Sequence, residues 1–117
     1  MMQIRLKRAY EAPAKSDGKR ILVERLWPRG LKKETVALDE WFRDIAPSPE
    51  LRKWYGHDPK KWPAFQKCYR KELAANSQEI ERLRAFCEKS VVTFVYAAKD
   101  EMRNSALVLK TYLDGEN

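Results

Sequence analysis

Six consecutive residues, Val91-Val92-Thr93-Phe94-Val95-Tyr96, are all β-branched or aromatic, with no charge among them. A strand with one wet face alternates apolar and polar residues. This run does not alternate, so it reads as a central strand buried on both faces, the pattern of a parallel sheet covered by other layers. The other segments fit that frame. Met2, Ile4 and Leu6 alternate with Gln3, Arg5 and Lys7, which predicts a half-exposed edge strand. Ile21 to Leu26 predicts a second strand beside the Val91 strand, with Pro28 and Gly30 breaking the chain after it. Between the first two strands, Pro13 and Asp17-Gly18 mark a loop or at most one helical turn. That connection is near the lower limit for a parallel crossover, so the direction of the first strand stays open.

Everything from Thr35 to Lys89 reads as helix. Val36 to Ile45 predicts a short helix ended by Pro47. Ser48-Pro49 and Asp58-Pro59 are N-cap and first-turn pairs, and Gly56 is a stop signal between them. Trp62, Phe65, Tyr69 and Leu73 share one helical face, Asn76-Ser77 interrupts it, and Ile80, Leu83, Phe86 and Cys87 mark the next helix. Asp100 or Asn104 caps a last helix whose Leu107, Leu109 and Leu113 face inward. The expected fold is α/β: a small, mostly parallel sheet of about three strands with several helices packed on it. Residues 1–117 form a single domain.

Charge is distributed unevenly along this chain. Met1 to Lys33 holds ten Lys or Arg against three acidic residues, which accounts for the whole net charge of +7; the remainder balances at fourteen of each sign. A field this lopsided favours an anionic partner. No apolar run approaches the roughly 20 residues that span a bilayer, and the charged N-terminus is not a signal peptide, so a cytoplasmic protein without a membrane partner is expected. Cys68 and Cys87 both fall in helices, where a free thiol behaves as a small packing residue.

In open α/β sheets ligands bind beyond the carboxyl ends of the strands. Two loops qualify, Arg25 to Gly30 and Ala97 to Asn104, and parallel neighbouring strands would open both on one edge. Arg25 and Arg29 would clamp an anion bidentately, Trp27 would wall it, and the helix start at Asn104 would receive it. Each residue also has a structural reading. Arg25 can pair with Asp44, Asp58 or Asp100, Trp27 can be core, and Asn104 can be only a cap. For acid–base chemistry the candidates are Asp100, His57 beside Asp58, and a desolvated Lys99. One histidine without neighbouring cysteines builds no usual zinc site, so no metal is expected. No Walker loop, dinucleotide fingerprint, HExxH or nucleophile elbow is present, and no particular cofactor is implied.

Arg25-Leu26-Trp27-Pro28-Arg29-Gly30, Asp44-Ile45-Ala46-Pro47-Ser48, Leu51-Arg52-Lys53-Trp54, Gly56-His57-Asp58-Pro59 and Tyr96-Ala97-Ala98-Lys99-Asp100 with Asn104 resemble the small YeaO-like bacterial proteins. These belong to a larger family of domains of unknown function, number 488. The resemblance spans nearly the whole chain and implies a compact α/β domain, but no established substrate or reaction. More distant members look like domains with an Asp-x-Arg-type strand end, whose arginine would align with Arg25, with Glu24 nearby, and a cysteine in the loop before the last helix. Here Ala97 and Ala98 stand in that loop, which argues against thiol chemistry.

Two functions from different classes follow, and a third remains. The leading expectation is a pocket for an anionic small molecule bearing phosphate or carboxylate. The second is a nucleic-acid module using the basic N-terminal third with Tyr10 and Trp27; lacking a reading motif, it would bind weakly and with steep salt dependence. The third is a non-catalytic or stress-associated protein-interaction module. Neither the oligomeric state nor whether the chain is an enzyme follows from these residues.

Overall fold

The computed structural model describes residues 2–115. The strands are β1 (Ile4–Arg8), β2 (Lys19–Leu22), β3 (Glu40–Trp41) and β4 (Val92–Tyr96); the helices are α1 (Lys33–Val36), α2 (Pro49–Tyr55), α3 (Trp62–Ala75), α4 (Ser77–Lys89) and α5 (Ser105–Leu113). Short 3-10 turns lie at Lys15–Asp17, Arg43–Ile45 and Pro59–Lys61. The sheet is parallel throughout, in the order β1-β4-β2-β3. β4 is central and buried at every residue, as its composition requires. β2 is its parallel neighbour, with Ile21 opposite Phe94, and β1 forms the edge and is parallel too.

The period of two divides the sheet into two unequal faces. Ile4, Ile21, Val92, Phe94 and Tyr96 enter the main core with Phe65, Tyr69, Leu73, Leu83 and Leu109 from the helices. Leu22 and Val95 point the other way, into a small cluster with Ala9 and Val36, flanked by Trp27, Leu31, Leu38 and Trp41. Helices thus cover one face. On the other face the small cluster includes Val36 of α1 and residues from the connecting loops.

Asp17 closes the sheet beneath that second face. Its carboxylate accepts from Arg20 Nη1 at 2.6 Å, Lys7 Nζ at 3.1 Å and the Ala14 N–H at 2.9 Å, while its own carbonyl accepts from Thr93 Oγ1 at 2.7 Å. Burial alone would raise this carboxyl, but the Ala14 N–H, Lys7 and Arg20 outweigh it and hold the pKa below the usual range. The remaining Arg20 donors go to the Val36 carbonyl, Nη2 at 2.7 Å and Nε at 3.0 Å. Gly18 then turns at φ 64°, with its Cα so close to β4 that a Cβ would sit 2.2 Å from the Val91 carbonyl oxygen. Only glycine fits there.

Three sequence expectations need correction. The sheet has four strands among the described residues, not about three. The predicted Val36–Ile45 helix does not form: α1 ends at Ala37 with φ 51°, and the chain then enters β3, where Asp39 N–H and Phe42 N–H bond Arg20 and Leu22 carbonyls. Trp41 and Phe42 go to opposite clusters, which is strand periodicity hidden in a segment too short to show it. Finally, β2 begins at Lys19 and ends at Leu22 rather than spanning Ile21 to Leu26. Arg20 belongs to the strand because its guanidinium is buried against the Asp17 carboxylate, three residues back across the Gly18 turn. The helix punctuation stands as read: Ser48 and Asn104 cap α2 and α5, Asp58 caps the Pro59 turn, and the chain breaks at Asn76.

Candidate functional site

The carboxyl ends of β2 and β4 open onto a cleft of about 610 Å³, within the roughly 300–1,000 Å³ range of small-molecule sites. Its walls come from four segments. Trp27, Pro28 and Arg29 follow β2; Arg52, Lys53 and Tyr55 come from α2; Gly56 and His57 follow that helix; Ala97, Ala98, Arg103, Asn104 and Ser105 lead from β4 into α5. The parallel pairing of β2 with β4 therefore brings together the two loops that the sequence singled out.

The aromatic wall is braced from behind. Tyr55 stacks on Phe65 with centroids 4.5 Å apart, and Phe65 stacks on Trp62 at 5.6 Å. Trp27 meets Trp41 edge to face at 5.5 Å and donates Nε1–H to the Leu31 carbonyl at 2.7 Å. Trp27 is thus both a member of the small cluster and a wall of the cleft. Tyr10, exposed at the rim, donates its hydroxyl to the Arg29 carbonyl at 2.9 Å and lies under the Arg8 guanidinium. His57 reaches the cleft through two consecutive left-handed residues, Gly56 at φ 52° and His57 at φ 58°.

Three cations of the cleft stand without partners among the described residues. Among the described residues the Arg29 and Arg52 guanidiniums and the Lys53 ammonium make no hydrogen bond or ion pair, although Arg52 sits near enough to Glu24 to favour its ionised form. Arg103 is different, with Nη1 3.2 Å from Asp100. Asn104 is spent on structure: Oδ1 accepts the Leu107 N–H at 2.9 Å and Nδ2 donates to the Asp100 and Glu101 carbonyls.

Arg25 does not join Arg29. Its guanidinium turns to the opposite side and donates to the Ala46 and Pro47 carbonyls at 3.0 and 3.2 Å, with Asp44 at a long 3.9 Å. It lines a neighbouring hollow of about 350 Å³ together with Asp44, Ser48 and Glu72. Lys99 is exposed and does not line the cleft. Asp100 also stays outside, accepting the Met102 and Arg103 N–H groups; the Met102 N–H first, then Arg103, hold its pKa below the usual range. A carboxyl so satisfied is a turn residue. Of the sequence candidates, the cleft gathers Trp27, Arg29, His57 and Asn104.

Glu24, which the sequence places beside Arg25 without making it a site residue, lines the cleft. It is the cleft's acidic side chain, and Oε2 accepts the Ala97 N–H at 2.8 Å. Burial pushes its pKa up, against the Ala97 N–H, Arg52 and His57, which favour the ionised form. Arg52, Lys53 and Tyr55 were passed over too; a basic-aromatic stretch on a helix resembles any solvated face until its orientation is known.

Cys87 is buried, and burial pushes its thiol up to about 11, whereas Cys68 is exposed rather than packed. Among the described residues no three His, Cys, Asp or Glu side chains group to hold a metal ion, and no helix is long and apolar enough to cross a membrane.

Fold and cleft together define a class: a small parallel α/β domain with a basic, aromatic-walled cleft at its strand ends. The chain belongs to the family described as the Inactive DUF488-N3 subclade, whose model matches residues 3–117. It is 46% identical over 112 residues to the uncharacterized protein YeaO of Escherichia coli (strain K12), covering 96% of this chain and 97% of that one. It is 40% identical over 113 residues to the uncharacterized proteins Rv3073c of Mycobacterium tuberculosis (strain ATCC 25618 / H37Rv) and Mb3100c of Mycobacterium bovis, covering 97% of this chain and 95% of each. No solved structure matches it significantly.

Proposed function

We propose that this is a cytoplasmic binding protein whose cleft takes a small molecule bearing phosphate or carboxylate. The observation that carries the reading is the group of unpartnered cations, Arg29, Arg52 and Lys53, on one concave surface. Exposed cations gathered on one surface repel one another, and a bound anion relieves that repulsion. Guanidinium pairs also match oxyanions geometrically. The family description, an inactive subclade, supports binding over catalysis, as do the alanines at positions 97 and 98.

The alternative of a nucleic-acid surface built on the basic N-terminal third has less support. Lys7 and Arg20 bind Asp17, Arg8 donates to the Ala98 carbonyl, and Arg25 donates to Ala46 and Pro47. Four of the ten N-terminal cations are committed inward.

The test is thermal denaturation in phosphate and in chloride at equal ionic strength. Phosphate at about 100 Kd should stabilise the wild type by about 2.7 kcal/mol through mass action. Arg52→Ala, an exposed change, should lose most of that gain and remain folded. An equal phosphate response in the two proteins removes the anion site.

A further inference from the structure

The proposed anion site leaves Glu24 unexplained. A carboxylate among four basic side chains weakens the attraction for any simple anion, so a cleft for phosphate alone has no use for it. Nor is Glu24 spent as Asp17 is. Oε2 holds the Ala97 N–H, and no described protein group donates to Oε1, which keeps access to the cleft rather than being buried without a partner. The same cleft is lined by flat, rigid surfaces: the Tyr55 ring, fixed by Phe65, and the Trp27 indole, fixed by Trp41 and the Leu31 carbonyl.

Resting on the anion reading, we infer that the ligand is a nucleotide: a planar base with an exocyclic amine donating to Glu24 Oε1, its ring against the aromatic wall, its phosphate toward Arg29, Arg52 and Lys53. The three chemistries are complementary. Cations fix the phosphate, π surfaces hold any ring, and a single free acceptor selects the ring that offers an N–H. The volume suits a mononucleotide. Glu24 is the specificity-determining residue, and Ala97 N–H orients it: by occupying Oε2, it presents Oε1 to the ligand.

That orientation makes the test sharp. In Glu24→Gln the amide oxygen should take the Ala97 N–H, leaving the NH₂ where Glu24 presents an acceptor. The readout inverts. Titration calorimetry with AMP, UMP and ribose 5-phosphate on wild type and Glu24→Gln reads this directly. Wild type should bind AMP about tenfold tighter than ribose 5-phosphate, since sites built for a donor discriminate strongly against ligands lacking it. The variant should weaken AMP about tenfold, leave ribose 5-phosphate unchanged, and hold or strengthen UMP, whose carbonyls accept. If the variant does not fold, Glu24→Ser should bring AMP down to the ribose 5-phosphate level.

Equal binding of AMP and ribose 5-phosphate by wild type overturns the nucleotide and leaves the anion site standing. AMP and UMP weakened alike by Glu24→Gln overturns the role of Glu24. No binding of any phosphate compound removes both readings. A 5′-phosphorylated oligoadenylate in the same titration separates sources: tighter than AMP assigns the cleft to a strand end, weaker assigns it to the free nucleotide.

Discussion

Asp17 and Glu24 lie seven residues apart in the same basic third of the chain, and the fold treats them in opposite ways. Burial acts on both in the same direction, raising the pKa. Asp17 answers it with two cations and a backbone N–H within hydrogen-bond distance, and its pKa falls. Glu24 has one N–H at that distance; Arg52 and His57 act only through space, and its pKa rises. Burial alone thus does not fix the state of a carboxyl. Donors in direct contact oppose it, and they separate a carboxyl that holds the sheet together from one with an oxygen to spare.

The largest expected effect tests the first half of that contrast. Asp17→Ala strands the Arg20 guanidinium, whose side chain is only 5% exposed, and should cost about 3–5 kcal/mol in urea denaturation. A loss below about 1 kcal/mol would mean that Arg20 finds water or another partner, and the contrast would lose its structural half. Lys7→Met should cost less, about 1 kcal/mol, because the ammonium is 20% exposed and Arg20 remains in place. Equal losses from the two substitutions would mean that the Arg20–Asp17 pair adds nothing to stability.

The smallest effect concerns pH, and its sign differs between the two sites. The Asp17 pKa lies below its unfolded value of about 3.8, so its contribution is complete above that pH and is lost as pH falls through the folded value. Asp17→Ala should therefore flatten the acid limb of the stability curve. The Glu24 pKa lies above its unfolded value of about 4.5, so its contribution is complete below that pH and is lost as pH rises through the folded value. Glu24→Gln keeps the Ala97 hydrogen bond and should gain stability relative to wild type as pH rises above about 4.5. Parallel curves for the variant and wild type would show that Glu24 titrates as it does in the unfolded chain.

What was legible in the sequence was local. The Val91–Tyr96 run announces a central strand because every side chain must be buried; Ser48-Pro49, Asp58-Pro59 and Asn104 announce helix starts because the cap lies two or three residues from the N–H it satisfies. The short β3 was not legible, since two residues show no period, and neither was the start of β2, whose Arg20 is buried only because Asp17 is there. The cleft was half legible. Strand-end geometry pointed to Trp27, Arg29 and Asn104, but also to Arg25, which turns to other carbonyls, and it missed Glu24, Arg52 and Tyr55.

The sequence by itself determined the α/β class, the buried central strand, the capped starts of α2 and α5 and the total charge, all of which follow from composition or contacts a few residues long. Only the tertiary structure decided which charges are free. Arg8 meets a carbonyl ninety residues away and Glu24 an N–H seventy-three away, so whether a basic residue is spent or available depends on chain packing that no local pattern encodes. The excess of charge is a property of the sequence; the cleft is lined by three of the cations that folding leaves unpaired.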